Sequence, residues 1–81
     1  MHELLNDPVE VTVDFRARHI VPTCVRWEGR AYAIEHVNLV HTAREGTKRV
    51  YYFSVSDNAN FMKLKLDTEM LEWRLVEWYC E

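Results

Sequence analysis

Apolar and polar residues alternate along much of the chain, and this alternation predicts β-strands. The clearest run covers residues 9–18, in which every second residue from Val9 to Ala17 is apolar and the residues between are polar or charged. A side-chain period of two is typical of a strand with one buried face. We therefore expect one long strand here, with its apolar side inward. Residues 1–7 are expected to form a helical turn or a loose tail that ends at Pro8.

The stretch from Thr23 to Ile34 predicts a tight β-hairpin whose turn contains Gly29. A two-residue turn would pair Trp27 with Arg30, whereas a three-residue loop would pair Arg26 with Arg30. Because the second register sets two like charges opposite each other, the first is favoured. That register places four apolar residues on one face, namely Val25, Trp27, Tyr32 and Ile34.

The rest of the chain predicts further strands separated by polar turns. Strands are expected at 31–41, 48–56 and 61–66, and polar loops at 43–47 and 57–60. Near Glu35 the apolar parity shifts by one residue, which predicts a β-bulge. Residues 68–80 fit a strand better than a helix, because on a helix their apolar side chains would lie all round the axis.

About six strands joined mostly by short turns predict an antiparallel meander. A chain of 81 residues can bury the apolar faces of such a sheet only if the sheet curls. The predicted fold is therefore all-β, a single domain over residues 1–81 that forms a small, partly open, SH3-like barrel. The second interpretation is a curved sheet with a C-terminal helix.

Several motifs follow one another over residues 22–79. They are Pro22-x-x-Val25-x-Trp27-x-Gly29-Arg30-x-Tyr32-x-Ile34, then Tyr52-Phe53-x-Val55, Leu64-x-Leu66, and Trp73-x-Leu75 with Tyr79. Their order resembles a group of small uncharacterised bacterial all-β domains, which have a P-x-x-F-x-W-x-G-R-x-Y-x-V hairpin, a Y-F-x-V strand and a closing W-x-L strand. Val25 stands where that group usually has Phe. The resemblance implies a bacterial origin and a β fold. It implies no activity, because the group has no settled one. Some members are encoded near error-prone DNA polymerases, which implies a connection with DNA.

Charge is unevenly spread along the chain, although the net charge is only −3. Residues 1–15 carry four acids and no base, residues 16–66 carry nine bases and four acids, and residues 67–81 carry five acids and one base. No segment resembles a secretory signal or a membrane span. Cys24 and Cys80 are expected to be reduced thiols. These features predict a cytoplasmic protein that does not bind membranes.

The sequence predicts neither an enzyme nor a cofactor. His19, His36, His41 and Cys24 lack the spacing of metal ligands. Glu10 and Asp14 would lie on one strand about 13 Å apart, too far for a pair of catalytic carboxylates. No Cys or Ser has a recognisable nucleophile setting, and there is no glycine-rich phosphate loop.

Two kinds of binding function are left. The favoured one is a protein-interaction module that acts through an edge strand or an exposed aromatic patch, with an unknown protein or a second copy as partner. The predicted interface residues are Val50, Tyr52, Trp78 and Tyr79. The alternative is an accessory protein that binds nucleic acid through a basic central face, although the net negative charge is unfavourable for this. The predicted contacts are Arg16, Arg18, Arg26, Arg30, Lys48, Arg49, Tyr51, Lys63 and Lys65.

Overall fold

The computed structural model describes residues 2–80, and most of them lie in antiparallel strands. The strands are β1 (His2–Pro8), β2 (Glu10–Arg16), β3 (His19–Trp27), β4 (Arg30–Ala33), β5 (His36–Glu45), β6 (Lys48–Ser56), β7 (Asn60–Asp67) and β8 (Glu72–Cys80). They form a five-stranded sheet, β1-β8-β7-β6-β5, and a three-stranded sheet, β2-β3-β4. The predicted all-β, partly open barrel is confirmed. Residues 68–80 contain strand β8, so the alternative with a C-terminal helix is wrong.

Two bent stretches of chain connect the sheets. The first is β1 and β2, which are separated only by Val9, whose N–H donates to the carbonyl of Trp73 (3.2 Å). The second is β4 and β5, separated by Ile34 and Glu35. The N–H of Ile34 still donates to the carbonyl of Thr23 in β3 (2.9 Å), whereas the N–H of Glu35 donates to a carbonyl in β6 (3.0 Å). The irregularity predicted near Glu35 is thus the point where the chain passes from one sheet to the other.

The expectation of a helical turn or loose tail at residues 1–7 is wrong, apart from Met1, which lies outside the described residues. His2–Pro8 is strand β1, and it pairs with β8 at the edge of the larger sheet. Along β1 exposed and half-buried residues alternate, but Glu3 and Asp7 occupy half-buried positions together with Leu5. Acidic residues on the inner side hid the pattern that would have predicted a strand.

The predicted strand over residues 9–18 ends earlier than expected. Strand β2 stops at Arg16, and Ala17 and Arg18 form a two-residue turn with positive φ angles of 49° and 70°. Phe15, expected to face inward, is largely exposed. The polar loop expected at 43–47 is also wrong, because β5 continues to Glu45 before a turn that begins with Gly46.

The hairpin between β3 and β4 has the predicted register, with Trp27 opposite Arg30 and Val25 opposite Tyr32. Glu28 and Gly29 both have positive φ, 51° and 76°, as a type I′ turn requires. The hairpin contributes to a core between the two sheets that is almost entirely apolar. The core residues are Val25, Trp27, Phe53, Val55, Met62, Leu64, Leu66 and Leu75.

Candidate functional site

The residues predicted to contact nucleic acid do not form one surface. Arg16 and Arg18 lie beside the β2–β3 turn, whereas Arg26 and Arg30 lie at the opposite end of the same sheet, beside the β3–β4 turn. The Tyr51 ring stacks on Phe53 with centroids 6.2 Å apart. That ring is only half exposed and already has a stacking partner. Less of its face is therefore available for stacking of a nucleic-acid base than the sequence predicted.

The three predicted lysines already have acidic partners on the outer face of the five-stranded sheet. The pairs are Lys48–Asp67 at 2.7 Å, Lys63–Glu77 at 3.7 Å and Lys65–Glu45 at 2.6 Å. Lys48 also donates a hydrogen bond to Asp67, which raises the pKa of the lysine. A phosphate backbone would have to compete with these carboxylates, so this face is less attractive to nucleic acid than its lysines alone suggest.

The predicted aromatic interface does not form a single patch. Val50 is wholly buried and contributes nothing to the surface. Tyr52 and Trp78 are half-buried, and the indole N–H of Trp78 donates to the side chain of Asn60 (3.2 Å). Tyr79 is the one exposed member of the predicted set. The other predicted mode of interaction is through an edge strand, and it depends on how each edge of the two sheets is protected.

The free edges of the two sheets differ in how well they are protected. Natural proteins block open edges with charges, prolines or short strands. Among residues 2–80, β4 has only four residues, β1 ends at Pro8 and β2 carries exposed charges. In contrast, β5 has ten residues and contains no carboxylate, lysine, arginine or proline from His36 to Ala43. Strand β5 is thus the long edge that lacks these protective features.

Strand β5 also exposes apolar side chains on both of its faces. Val37 and Val40 lie opposite core residues of β6, and 38% and 46% of their surfaces are exposed. Leu39 lies opposite Ser54 on the other face and is 58% exposed. A register shift between Val37 and Leu39 interrupts the alternation, so that Val37 and Val40 face the same side of the sheet. Both sides of the β5 edge can therefore bury apolar surface against an added strand.

An apolar groove of about 350 Å³ lies beside this edge. It exists because β3 pairs with β4 only from Cys24 to Trp27, and the chain then turns away at Ile34 and Glu35. The first residues of β3 thus have no neighbour on that side. The groove is lined by Arg18, His19, Ile20, Val21, Val37, Val40, Tyr51 and Phe53.

The groove has the chemistry of a binding site for an extended chain. Its lining contains neither a carboxylate nor a thiol, and no three potential metal ligands among residues 2–80 lie close enough together to hold an ion. It offers free main-chain groups at its border and apolar side chains on its floor. Strand addition combines these features, since main-chain hydrogen bonds give affinity and pockets for alternate side chains give specificity.

The sequence did not identify the groove residues of β5. Neither Val37 nor Val40 was among the predicted interface residues. The available signal was the length of the run without charges after Glu35. This uncharged run indicates a binding surface only if β5 lies at the edge of the sheet. The position of β5 is given by the order of the strands and cannot be deduced from the run itself.

Comparison with known proteins gives no relative: the chain matches no family model, no curated protein and no solved structure. The resemblance of residues 22–79 to a group of bacterial domains therefore stays a prediction. No helix of residues 2–80 has the length and apolar character needed to cross a membrane.

Proposed function

We propose that this protein binds an extended segment of a partner protein, which is added as a strand to the free edge of β5. The observation that carries the proposal is a ten-residue edge strand that has no proline and no acidic residue, lysine or arginine from His36 to Ala43, beside an apolar groove. We place this binding in the cytoplasm, in keeping with the reduced cysteines expected from the sequence.

The partner in this proposal is a single strand because of the shape of the groove. One side of the groove is β5 and the other is the start of β3. A strand placed between them can meet main-chain groups on both of its own edges. Strand β5 of a second copy already pairs with its own β6, so it has only one free edge to offer. A segment that is extended and not yet part of a sheet fits the groove better.

We expect this binding to be of moderate strength. Each main-chain hydrogen bond contributes a net of about 0.5–1.5 kcal/mol, and the ordering of the added segment opposes binding. Burial of Val37, Leu39 and Val40 adds an apolar contribution. Dissociation constants in the range of about 1 µM to 1 mM are typical of such a balance.

A peptide titration tests the proposal. The probe is a fluorescein-labelled peptide as long as β5, ten residues of alternating Val and Thr with blocked ends. Its anisotropy should rise on titration with the protein, whereas a peptide of the same length with prolines at alternate positions should not bind. Amide hydrogen exchange should show that the peptide protects β5 and leaves β1 unchanged, since the added strand bonds to outward-facing amides.

The matched variants are Leu39→Lys and Leu4→Lys. Leu4 is 78% exposed on β1, the opposite edge of the same sheet, so the two substitutions differ mainly in which edge they block. Leu39→Lys should abolish binding of the Val-Thr peptide, and Leu4→Lys should leave it intact. Absence of binding up to about 1 mM protein would overturn the proposal, as would equal loss in the two variants. Light scattering that shows a dimer dispersed by Leu39→Lys would replace the partner segment with a second copy.

A further inference from the structure

We infer that the bound segment runs antiparallel to β5 and carries carboxylates at its amino-terminal end. This inference rests on the proposed function and specifies the chemistry of the partner. It follows from three arginines, Arg18, Arg44 and Arg49, and from their position relative to the apolar groove.

Arg44 and Arg49 form an unusual cross-strand pair. They are direct partners in the β5–β6 ladder, and both are exposed. Like charges placed opposite each other destabilise a strand pair. Neither arginine has an acidic partner within 4 Å among residues 2–80, unlike the lysines of the outer face. No carboxylate of the described chain therefore forms an ion pair with either guanidinium group.

This arginine pair lies on the same face of the sheet as the groove. Along β6 side chains alternate, so Arg49 shares a face with Tyr51 and Phe53, which line the groove. Along β5 the same alternation places Arg44 with Val40, beyond the bulge. Beside the apolar floor, towards the end of β5, the same face of the sheet therefore carries the guanidinium groups of Arg44 and Arg49.

Arg18 contributes positive charge from the other side of the groove. It lies in the β2–β3 turn, lines the groove together with His19, and has no ion pair within the described part of the chain. Its φ of 70° is a conformation that glycine adopts at lower cost. The two-residue turn imposes this φ whichever residue occupies it, so the property of Arg18 that bears on a ligand is its guanidinium group, which borders the groove without an ion pair among residues 2–80.

The charge distribution selects carboxylates as the matching groups. Arginine side chains bind carboxylates with paired hydrogen bonds, and the groove itself supplies no acid to compete for them. Antiparallel pairing predominates in sheets, and in this arrangement the amino-terminal end of the added strand lies beside the carboxyl-terminal end of β5. Acidic residues should therefore precede the alternating apolar residues of the segment.

Three labelled peptides test the inference. Each contains the same alternating Val-Thr stretch, with Glu-Glu at the amino end, with Glu-Glu at the carboxyl end, or with Gln-Gln at the amino end. The first should bind about tenfold more tightly than the third, because two exposed charge pairs are gained. That advantage should shrink at about 0.5 M salt, where exposed charges are screened.

Arginine variants locate the effect. Arg18→Gln and Arg44→Gln should each reduce the advantage of the amino-terminal Glu-Glu peptide and leave the Gln-Gln peptide unaffected. The matched control is Arg26→Gln, an exposed arginine near the opposite end of the three-stranded sheet, which should change neither peptide. Circular dichroism confirms that each variant is folded.

The outcomes separate this inference from the proposed function. Equal binding of all three peptides would overturn the inference and leave strand addition standing. Preference for the carboxyl-terminal Glu-Glu peptide would overturn the antiparallel direction. If none of the three peptides binds, both proposals would be overturned. A single-stranded oligothymidylate that binds more tightly than the peptides, through the same arginines, would identify the ligand as nucleic acid and also overturn both.

Discussion

Among residues 2–80, four residues with side chains hold a positive φ: Ala17, Arg18, Glu28 and Leu71. The left-handed conformation costs such residues roughly 1–2 kcal/mol, whereas glycine adopts it freely and Asn at lower cost than most. The register of the short hairpins requires this conformation whichever residue is present. These turns therefore reduce stability locally, and their sequences leave room for stabilising substitutions.

Glu28→Asn should stabilise the protein. It converts Glu28-Gly29 into Asn-Gly, the pair preferred in type I′ turns, and we expect the free energy of unfolding to rise by about 0.5–1 kcal/mol. Urea denaturation followed by tryptophan fluorescence measures the change. Glu10→Asn, in strand β2, is the control and should give no gain. An unchanged denaturation midpoint for Glu28→Asn would contradict the turn assignment.

Asp67 provides a second prediction at the scale of single residues. Its carboxylate accepts a hydrogen bond from Lys48 Nζ (2.7 Å) and two more from the backbone N–H groups of Met70 (3.1 Å) and Glu69 (3.0 Å). Chiefly through the Lys48 bond, and then through Met70, the pKa of Asp67 falls from 3.8 to about 2. Between these values the unfolded chain binds a proton that the folded protein does not.

The stability contributed by Asp67 should therefore be complete above pH 3.8 and decline as the pH falls towards about 2. Unfolding free energies measured by urea denaturation across this range give the slope. Asp67→Asn should lower stability at neutral pH and flatten the acid slope. Asp14→Asn removes an exposed ion pair of β2, and this variant should retain most of the acid slope of the unsubstituted protein. An Asp67→Asn slope equal to that of the unsubstituted protein would show that another carboxylate is responsible.

At the scale of elements, β1 is the strand that alternation failed to predict. Its pairing with β8 implies that adjacent leucines have opposite roles. Leu5 packs against the core, whereas Leu4 faces solvent. Leu5→Ala should lower the free energy of unfolding by about 2 kcal/mol, and Leu4→Ala by less than about 0.5 kcal/mol. Equal, small effects on the urea denaturation midpoint would mean that residues 2–8 are not held as a strand.

The hairpin and the strand at residues 48–56 could be predicted because local pattern and tertiary structure agree there. Glycine at the turn and one apolar face fixed the register of Trp27 against Arg30, which the structure confirms. The parity shift at Glu35 likewise marked the point where the chain changes sheets. Such features depend on neighbours in sequence, which the sequence displays directly.

The candidate site depends on distant neighbours and could not be predicted in the same way. Leu39 and Val40 have an apolar pattern that suits a central strand, and only the order β1-β8-β7-β6-β5 places them at an edge. Charge was misleading for a related reason. Lys48 and Lys65 form ion pairs with acids that are distant in sequence, whereas Arg44 faces another arginine.

At the scale of the whole molecule, a side-chain hydrogen bond joins a strand of the smaller sheet to a strand of the larger one. The indole N–H of Trp27 in β3 donates to the carboxylate of Asp7 in β1 (3.0 Å), and the Trp27 ring packs edge-on against Trp78 in β8 (5.3 Å). Trp27 is buried, so its N–H depends on this partner. Asp7 therefore stabilises the contact between the sheets as well as its own strand.

Asp7→Ala should destabilise the protein by about 1–3 kcal/mol, because it leaves a buried N–H without an acceptor. Asp14→Ala removes only an exposed ion pair and should cost less than about 1 kcal/mol. Urea denaturation, with near-ultraviolet circular dichroism to follow the tryptophans, measures both effects. Similar losses in the two variants would show that the indole bond does not hold the sheets together.

The pairing of β1 with β8 has a consequence for rearranging the chain. His2 lies directly opposite Tyr79, and antiparallel partners have Cα atoms about 5 Å apart. A short linker could join these two points, and a new beginning could be made at Thr47, after the glycine turn. Such a circular permutant would retain the order of strands in both sheets while separating β5 from β6 in sequence. Partner peptides could then be appended directly to the end of β5.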